Sequence, residues 1–169
     1  MLMIVLRLIH VLGGVFWAGS VLFVAAFFIP AVAASGPGGG QVIQQVMAVL
    51  KYPRAAGIAA TLTILSGGWM YWHNMKVSTG GWAGSAPGMT YGIGALSALV
   101  AFTVFVTVIR PTGNALLAFG RTMQSRGGPP TAEESAAISR LQMRMSGASR
   151  AAAAFLAITV AAMAIARYL

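Results

Sequence analysis

Four long apolar runs, at residues 4–29, 55–74, 90–109 and 148–168, alternate with shorter polar stretches along the chain. Each approaches or exceeds the roughly 20 residues that carry a helix across the hydrocarbon layer of a bilayer. None alternates with the period of a strand, and in lipid only helices and closed barrels satisfy their own backbone. The pattern predicts an all-α fold: an integral membrane four-helix bundle built as a single transmembrane domain over residues 1–169. Pro30 follows the first run, and Gly36-Pro37-Gly38-Gly39-Gly40 reads as a flexible connection, since no Gly-Lys-Ser/Thr follows to make a phosphate loop. Gln41 to Leu50 reads as a short amphipathic helix, and His73 to Met89 as an extended loop on the membrane surface. In the third connection, Arg110 to Gly147, Pro111 is expected to stop the third span and Asn114 to Gln124 to form a second short helix. Thr131, with Glu134 three residues on, has the spacing of a capping box. A helix from there is expected to run through Met145 into the fourth span, with a bend at Gly147. Ala31-Val32-Ala33 resembles a signal cleavage site, but the apolar run before it is far longer than the usual 7–15 residues, so it reads as a retained membrane helix.

Composition supports this picture. The chain is 58% hydrophobic and 8% charged, with a mean hydropathy of +0.81, well beyond what a soluble domain carries. Its formal net charge is +9. No basic run is interleaved with exposed aromatics, so the charge points to anionic lipid and not to nucleic acid. Lys51, Arg54, Arg110, Arg121, Arg126, Arg140, Arg144 and Arg150 border the first and third connections, whereas only Arg7, Lys76 and Arg167 border the other face. The positive-inside rule then puts those connections in the cytoplasm and both termini outside, in a bacterial cytoplasmic (inner) membrane. Trp69, Tyr71, Trp72, Trp82, Tyr91 and Tyr168 gather toward the outer face as an aromatic belt. A faint repeat pairs Phe28-Ile29-Pro30 with Ile109-Arg110-Pro111, and Arg54-Ala55-Ala56 with Arg150-Ala151-Ala152, as two helix pairs related by an axis along the membrane normal would.

Cysteine and aspartate are absent, and the two carboxylates, Glu133 and Glu134, lie together in a polar connection. Disulfides, thiolate metal sites and Ser-His-Asp chemistry are therefore excluded, and no intramembrane carboxylate is available as an ion relay. The candidate chemistry falls on two histidines. His10 shares a helix face with Gly13, Gly14 and Trp17, and Arg7 lies one turn toward the outer surface. Histidine as an iron ligand, glycines clearing space and an arginine for a propionate make a site suited to haem b, with possible electron transfer as its use. The same residues also suit plain helix packing, with His10 bonded to a neighbouring carbonyl. His73 closes the second run at what counting places at a similar depth, which makes it the candidate second ligand. Copper is the alternative, with Met3, His10, Met70, His73 and Met75 supplying imidazole and thioether donors near the outer face. A third reading is a cofactor-free scaffold or accessory subunit. The alanine-rich fourth run favours close packing within the bundle, in a homo-oligomer or in a larger membrane complex.

Leu6-Arg7-Leu8-Ile9-His10-Val11-Leu12-Gly13, followed by Trp17-Ala18-Gly19, resembles the first helix of a group of small bacterial inner-membrane proteins. The group includes the copper-resistance protein D family, the HemJ type of protoporphyrinogen oxidase and four-helix relatives, whose second helix Ser66-Gly67-Gly68-Trp69-Met70-Tyr71-Trp72 also resembles. The likeness covers about the first 75 residues. It implies a histidine associated with b-type haem at His10. The HemJ type also carries a later Trp-Leu-His-x-Lys pattern, for which this chain has no histidine after His73.

Overall fold

The computed structural model describes residues 1–35, 39–78 and 80–169. Among these there is no strand. The helices are α1 (Leu2–Ala34), α2 (Gly39–Gln44, continued by a π-turn over Gln45–Val49), α3 (Tyr52–Val77), α4 (Ala86–Arg126) and α5 (Ala132–Tyr168). Helices α1, α4 and α5 are long and apolar enough to cross a membrane. Helix α3 has the length, but Ser66, Gly67, Gly68, Trp69, Tyr71 and Trp72 lower its hydropathy.

The helices outrun the apolar runs, and the reason lies at two prolines. A proline inside a helix lacks the N–H that the ladder needs, and its ring collides with the carbonyl four residues back. Here α1 opens into a π-turn over Val24–Phe28, where the Ile29 N–H bonds the Val24 carbonyl, and Pro30 sits at the start of the resumed α-helix. Helix α4 repeats the device: a π-turn over Phe105–Ile109, the Arg110 N–H on the Phe105 carbonyl, and then Pro111. Neither proline ends its helix. Pro111 does not stop the third span, and Asn114 to Gln124 is no separate helix but part of α4. The short helix expected at Gln41 to Leu50 is present as α2 and its π-turn. The glycine-rich connection before it lies partly outside the described residues. The extended loop expected from His73 to Met89 is shorter: α3 runs on to Val77, α4 starts at Ala86, and a 3₁₀ turn covers Trp82–Gly84, with residue 79 outside the described residues.

The long third connection shrinks to residues 127–131. Gly127 closes α4 with φ 71°, a left-handed conformation that glycine adopts freely, and its N–H bonds the Met123 carbonyl at 3.0 Å. The capping box forms as expected: Glu134 N–H donates to Thr131 Oγ1 at 3.2 Å, and Thr131 N–H donates to Glu134 Oε2 at 2.8 Å. Helix α5 then continues unbroken through Gly147. Arg126 grips Glu134 with two bonds of 3.0 and 2.8 Å. That guanidinium, followed by the Thr131 N–H, holds the Glu134 carboxyl down at about 2. A depressed carboxyl supports the folded hairpin above its ordinary value and loses that support as pH falls toward its folded one, here between about 4.5 and about 2. NMR titration of the protein in detergent is expected to give a Glu134 midpoint near 2. In Arg126→Gln the midpoint should rise part of the way back toward the ordinary carboxylate range, the Thr131 N–H bond remaining; an unchanged midpoint would show that the arginine is not the cause.

Two antiparallel helix pairs make the bundle. In the first, His10 meets Gly67, Gly13 meets Thr63 and Ala59, and the Tyr52 hydroxyl donates to Ser20 Oγ at 3.2 Å, so numbers rise on α1 as they fall on α3. In the second, Gly94 meets Ala162 and Met163, and Gly113 meets Met145, so α4 and α5 are antiparallel too. Trp17, edge-on to Phe102 at 6.4 Å, joins the pairs. The shared core holds Trp17, Ala18, Ala60, Ala98, Ala101, Ala152 and Leu156.

This arrangement inverts that of a water-soluble domain. Small residues fill the interior, while Leu8, Leu12, Phe16, Phe27, Leu65 and Leu96 face outward. Lipid chains are as apolar as leucine, so little is gained by hiding large side chains, and close backbone approach decides which residues lie inside. Hydroxyls follow the same logic. Thr61, Thr63, Ser66, Thr103 and Thr107 each bond a carbonyl three or four residues back in their own helix. Among the described residues, no buried side-chain nitrogen or oxygen lacks a partner.

Candidate functional site

The helical spacing does place His10, Gly13, Gly14 and Trp17 on one face, and that face is spent on packing. His10 Nδ1 lies 2.8 Å from the Thr63 carbonyl oxygen. A carbonyl only accepts, so Nδ1 is the donor in this bond. The ring lies against Gly67, where a Cβ would stand 2.6 Å from Cε1. One turn on, a Cβ at Gly13 would stand 2.7 Å from Thr63 Oγ1 and 3.3 Å from the Ala59 carbonyl. Gly14 faces Thr63 Cγ2, and Trp17 is 3% exposed within the core. Glycine is required here for helix contact.

His73 is half-buried and lies six residues beyond Gly67 on α3, which is about 9 Å along the helix axis. The two imidazoles are thus not level, as counting from the span ends had placed them. Helices α1 and α3 also touch at His10–Gly67 and Gly13–Thr63, which leaves no slot for a macrocycle between these faces. The residues do not fit a haem held between His10 and His73. Arg7 and Met75 are exposed and Met70 is half-buried. Among the described residues, no three His, Cys, Asp or Glu side chains come together as a metal site.

Open space lies instead toward the other end of the bundle. A cavity of about 1220 Å³ opens where the proline-linked segments of α1 and α4 meet α2, the start of α3 and the middle of α5. Its wall is predominantly apolar, with Val24, Phe28, Met47, Gly57, Phe105 and Met145 contributed by five different helices. Both π-turns of the long helices border it, and π-turns inside helices cluster at functional sites. Its charged groups are of one sign: Lys51, Arg54 and Arg110 line it, with Tyr52, Thr61, Asn114, Gln142, Ser146 and Ser149 as neutral polar groups, and no carboxylate does. Lys51 has φ 53°, the one non-glycine residue in the left-handed region among those described. A lysine there costs about 1–2 kcal/mol, a strain typical of functional corners. It fixes the turn from α2 into α3 beside Arg54.

None of these residues stood out in the sequence as a site. Their arginines read as topology signals and their prolines as helix ends. The only signal was the Phe28-Ile29-Pro30 and Ile109-Arg110-Pro111 repeat, which marks the two π-turns bordering the cavity. No family model matches the chain, and neither a curated protein nor a solved structure matches it.

Proposed function

We propose that the protein is a four-span integral membrane protein of a bacterial cytoplasmic membrane, with both termini outside, that binds the hydrocarbon part of a membrane amphiphile in the chamber between its helix pairs. The observation that carries this reading is the size and lining of the cavity. It exceeds the roughly 300–1,000 Å³ of ordinary small-molecule sites, and its wall is predominantly apolar. A long flexible chain suits such a space better than a compact polar substrate. The inverted packing and the bias of basic residues toward the first and third connections support the membrane placement.

Gly57 borders the chamber, with Phe105 3.5 Å from where its Cβ would lie. Gly57→Phe fills the space and is expected to cut the lipid retained through purification about tenfold, read by native mass spectrometry, at a melting temperature no lower than wild type. Undiminished retention would end the proposal. Topology has its own test, made simple by the absence of native cysteine. Single cysteines at Leu169 and Ser125 are expected to react with an impermeant thiol reagent from outside and from inside, respectively. The opposite pattern would invert the protein.

On this reading His10 is a packing clasp, and its bond to Thr63 is its role. The purified protein is expected to show no Soret band after haem supplementation. A band present in wild type and lost in His10→Ala would overturn that assignment and restore a haem-binding function.

A further inference from the structure

We infer that the occupant of the chamber is a lipid with an anionic phosphate headgroup, held by the exposed cations that border the cavity, Lys51, Arg54 and Arg110. This rests on the chamber being a binding site, as proposed above, and adds the chemistry of the ligand's polar end. Three cations from three places in the chain line one apolar cavity: the α2–α3 corner, the first turn of α3, and the residue that closes the π-turn of α4. Among the described residues none of them has a counter-ion. Among the described residues the one ion pair is Arg126–Glu134, which consumes one of the chain's two carboxylates, and neither Glu133 nor Glu134 borders the cavity.

All three are exposed and reach the lining from its solvent-facing side, and cations bordering an apolar cavity with no carboxylate among its lining residues favour an anion there. Arginine presents a planar fork of donors that matches phosphate oxygens, and lysine adds a compact charge. Asn114, on the next turn after Arg110, supplies a neutral donor on the same wall. A zwitterionic headgroup would bring its own cation into this cluster and gain less. The chemistry therefore selects a net-negative phosphate carrying long chains, with the chains lying among Val24, Phe28 and Phe105.

The test uses the full chain in detergent, offered equimolar phosphatidylglycerol and phosphatidylcholine with identical acyl chains, with bound lipid counted by native mass spectrometry. Wild type is expected to retain phosphatidylglycerol about tenfold over phosphatidylcholine. Lys51→Gln/Arg54→Gln/Arg110→Gln should lose the preference yet still hold lipid through its chains. Arg121→Gln/Arg140→Gln/Arg144→Gln removes basic residues that do not line the cavity, and it should keep the preference. Equal retention of both lipids by wild type, or an equal loss in the control triple, overturns the headgroup assignment while leaving the chamber as a chain-binding site. No retained lipid in any variant overturns the chamber reading itself. Should the first triple fail to fold, the salt dependence of wild type decides: the preference should weaken several-fold from low to high salt, and a salt-independent ratio would refute the headgroup assignment.

Discussion

Gly67→Leu is expected to destabilise the bundle by about 2–3 kcal/mol, measured by unfolding in mixed detergent, and His10→Ala in the same chain is expected to recover most of the loss. At Gly67 even a Cβ would press to 2.6 Å from Cε1 and 2.8 Å from Nδ1 of the His10 ring. The ring cannot swing aside without breaking its 2.8 Å bond to the Thr63 carbonyl, a bond worth about 0.6 kcal/mol between helices in a membrane. The neighbouring turn offers no slack, because Gly13 is already seated on Thr63 and on the Ala59 carbonyl. A leucine must therefore push α1 and α3 apart or expel the imidazole. Removing the imidazole opens space in place, which is why the double variant should recover. If Gly67→Leu melts like wild type, α1 and α3 do not meet on this face, and the role assigned to His10 fails with it.

The second seam should behave differently. Gly94→Leu is expected to cost about 3 kcal/mol with no rescue by shrinking a single neighbour. Its Cβ would stand 3.1 Å from Met163 Cε, 3.2 Å from Ala162 Cβ and 3.5 Å from the Thr159 carbonyl. Methionine can bend away, but alanine and a backbone oxygen cannot. The seam is also pinned by the Thr159 hydroxyl, which lies 3.1 Å from the Gly94 carbonyl and 2.9 Å from that of Phe155. Losing the inter-helix bond alone, in Thr159→Val, should cost only about 0.6 kcal/mol, since such bonds are modest in a membrane. Recovery of Gly94→Leu by Met163→Ala would show that the contact is set by the flexible side chain and not by the backbone.

That the runs are helices was legible, because none alternates as a strand does and each is about long enough to span a bilayer; how far the helices extend was not, since α1, α4 and α5 run past their apolar residues. The capping box at Thr131 was legible because it depends on two residues at a fixed offset. Helix continuity through Pro30 and Pro111 was not, since a proline in an isolated sequence reads as a stop, and only a π-turn immediately before it shows otherwise. The His10 face was read correctly as a face, but spacing on one helix does not say what lies opposite. Gly67, which meets the ring, is 57 residues away in the chain. The chamber was hidden for a related reason: its lining is assembled from five helices, and no single stretch carries enough of it to be read.

The two proline-linked π-turns carry a consequence for registry. Each adds one residue to a helix that otherwise advances 3.6 per turn, so the segment beyond it is rotated by about 100° relative to an unbroken helix. In α4 that offset decides which side Arg110 and Asn114 present. Deleting Val106 would restore an even winding and turn the whole stretch from Arg110 to Arg126 about its own axis, carrying both residues off the chamber wall without changing any of them.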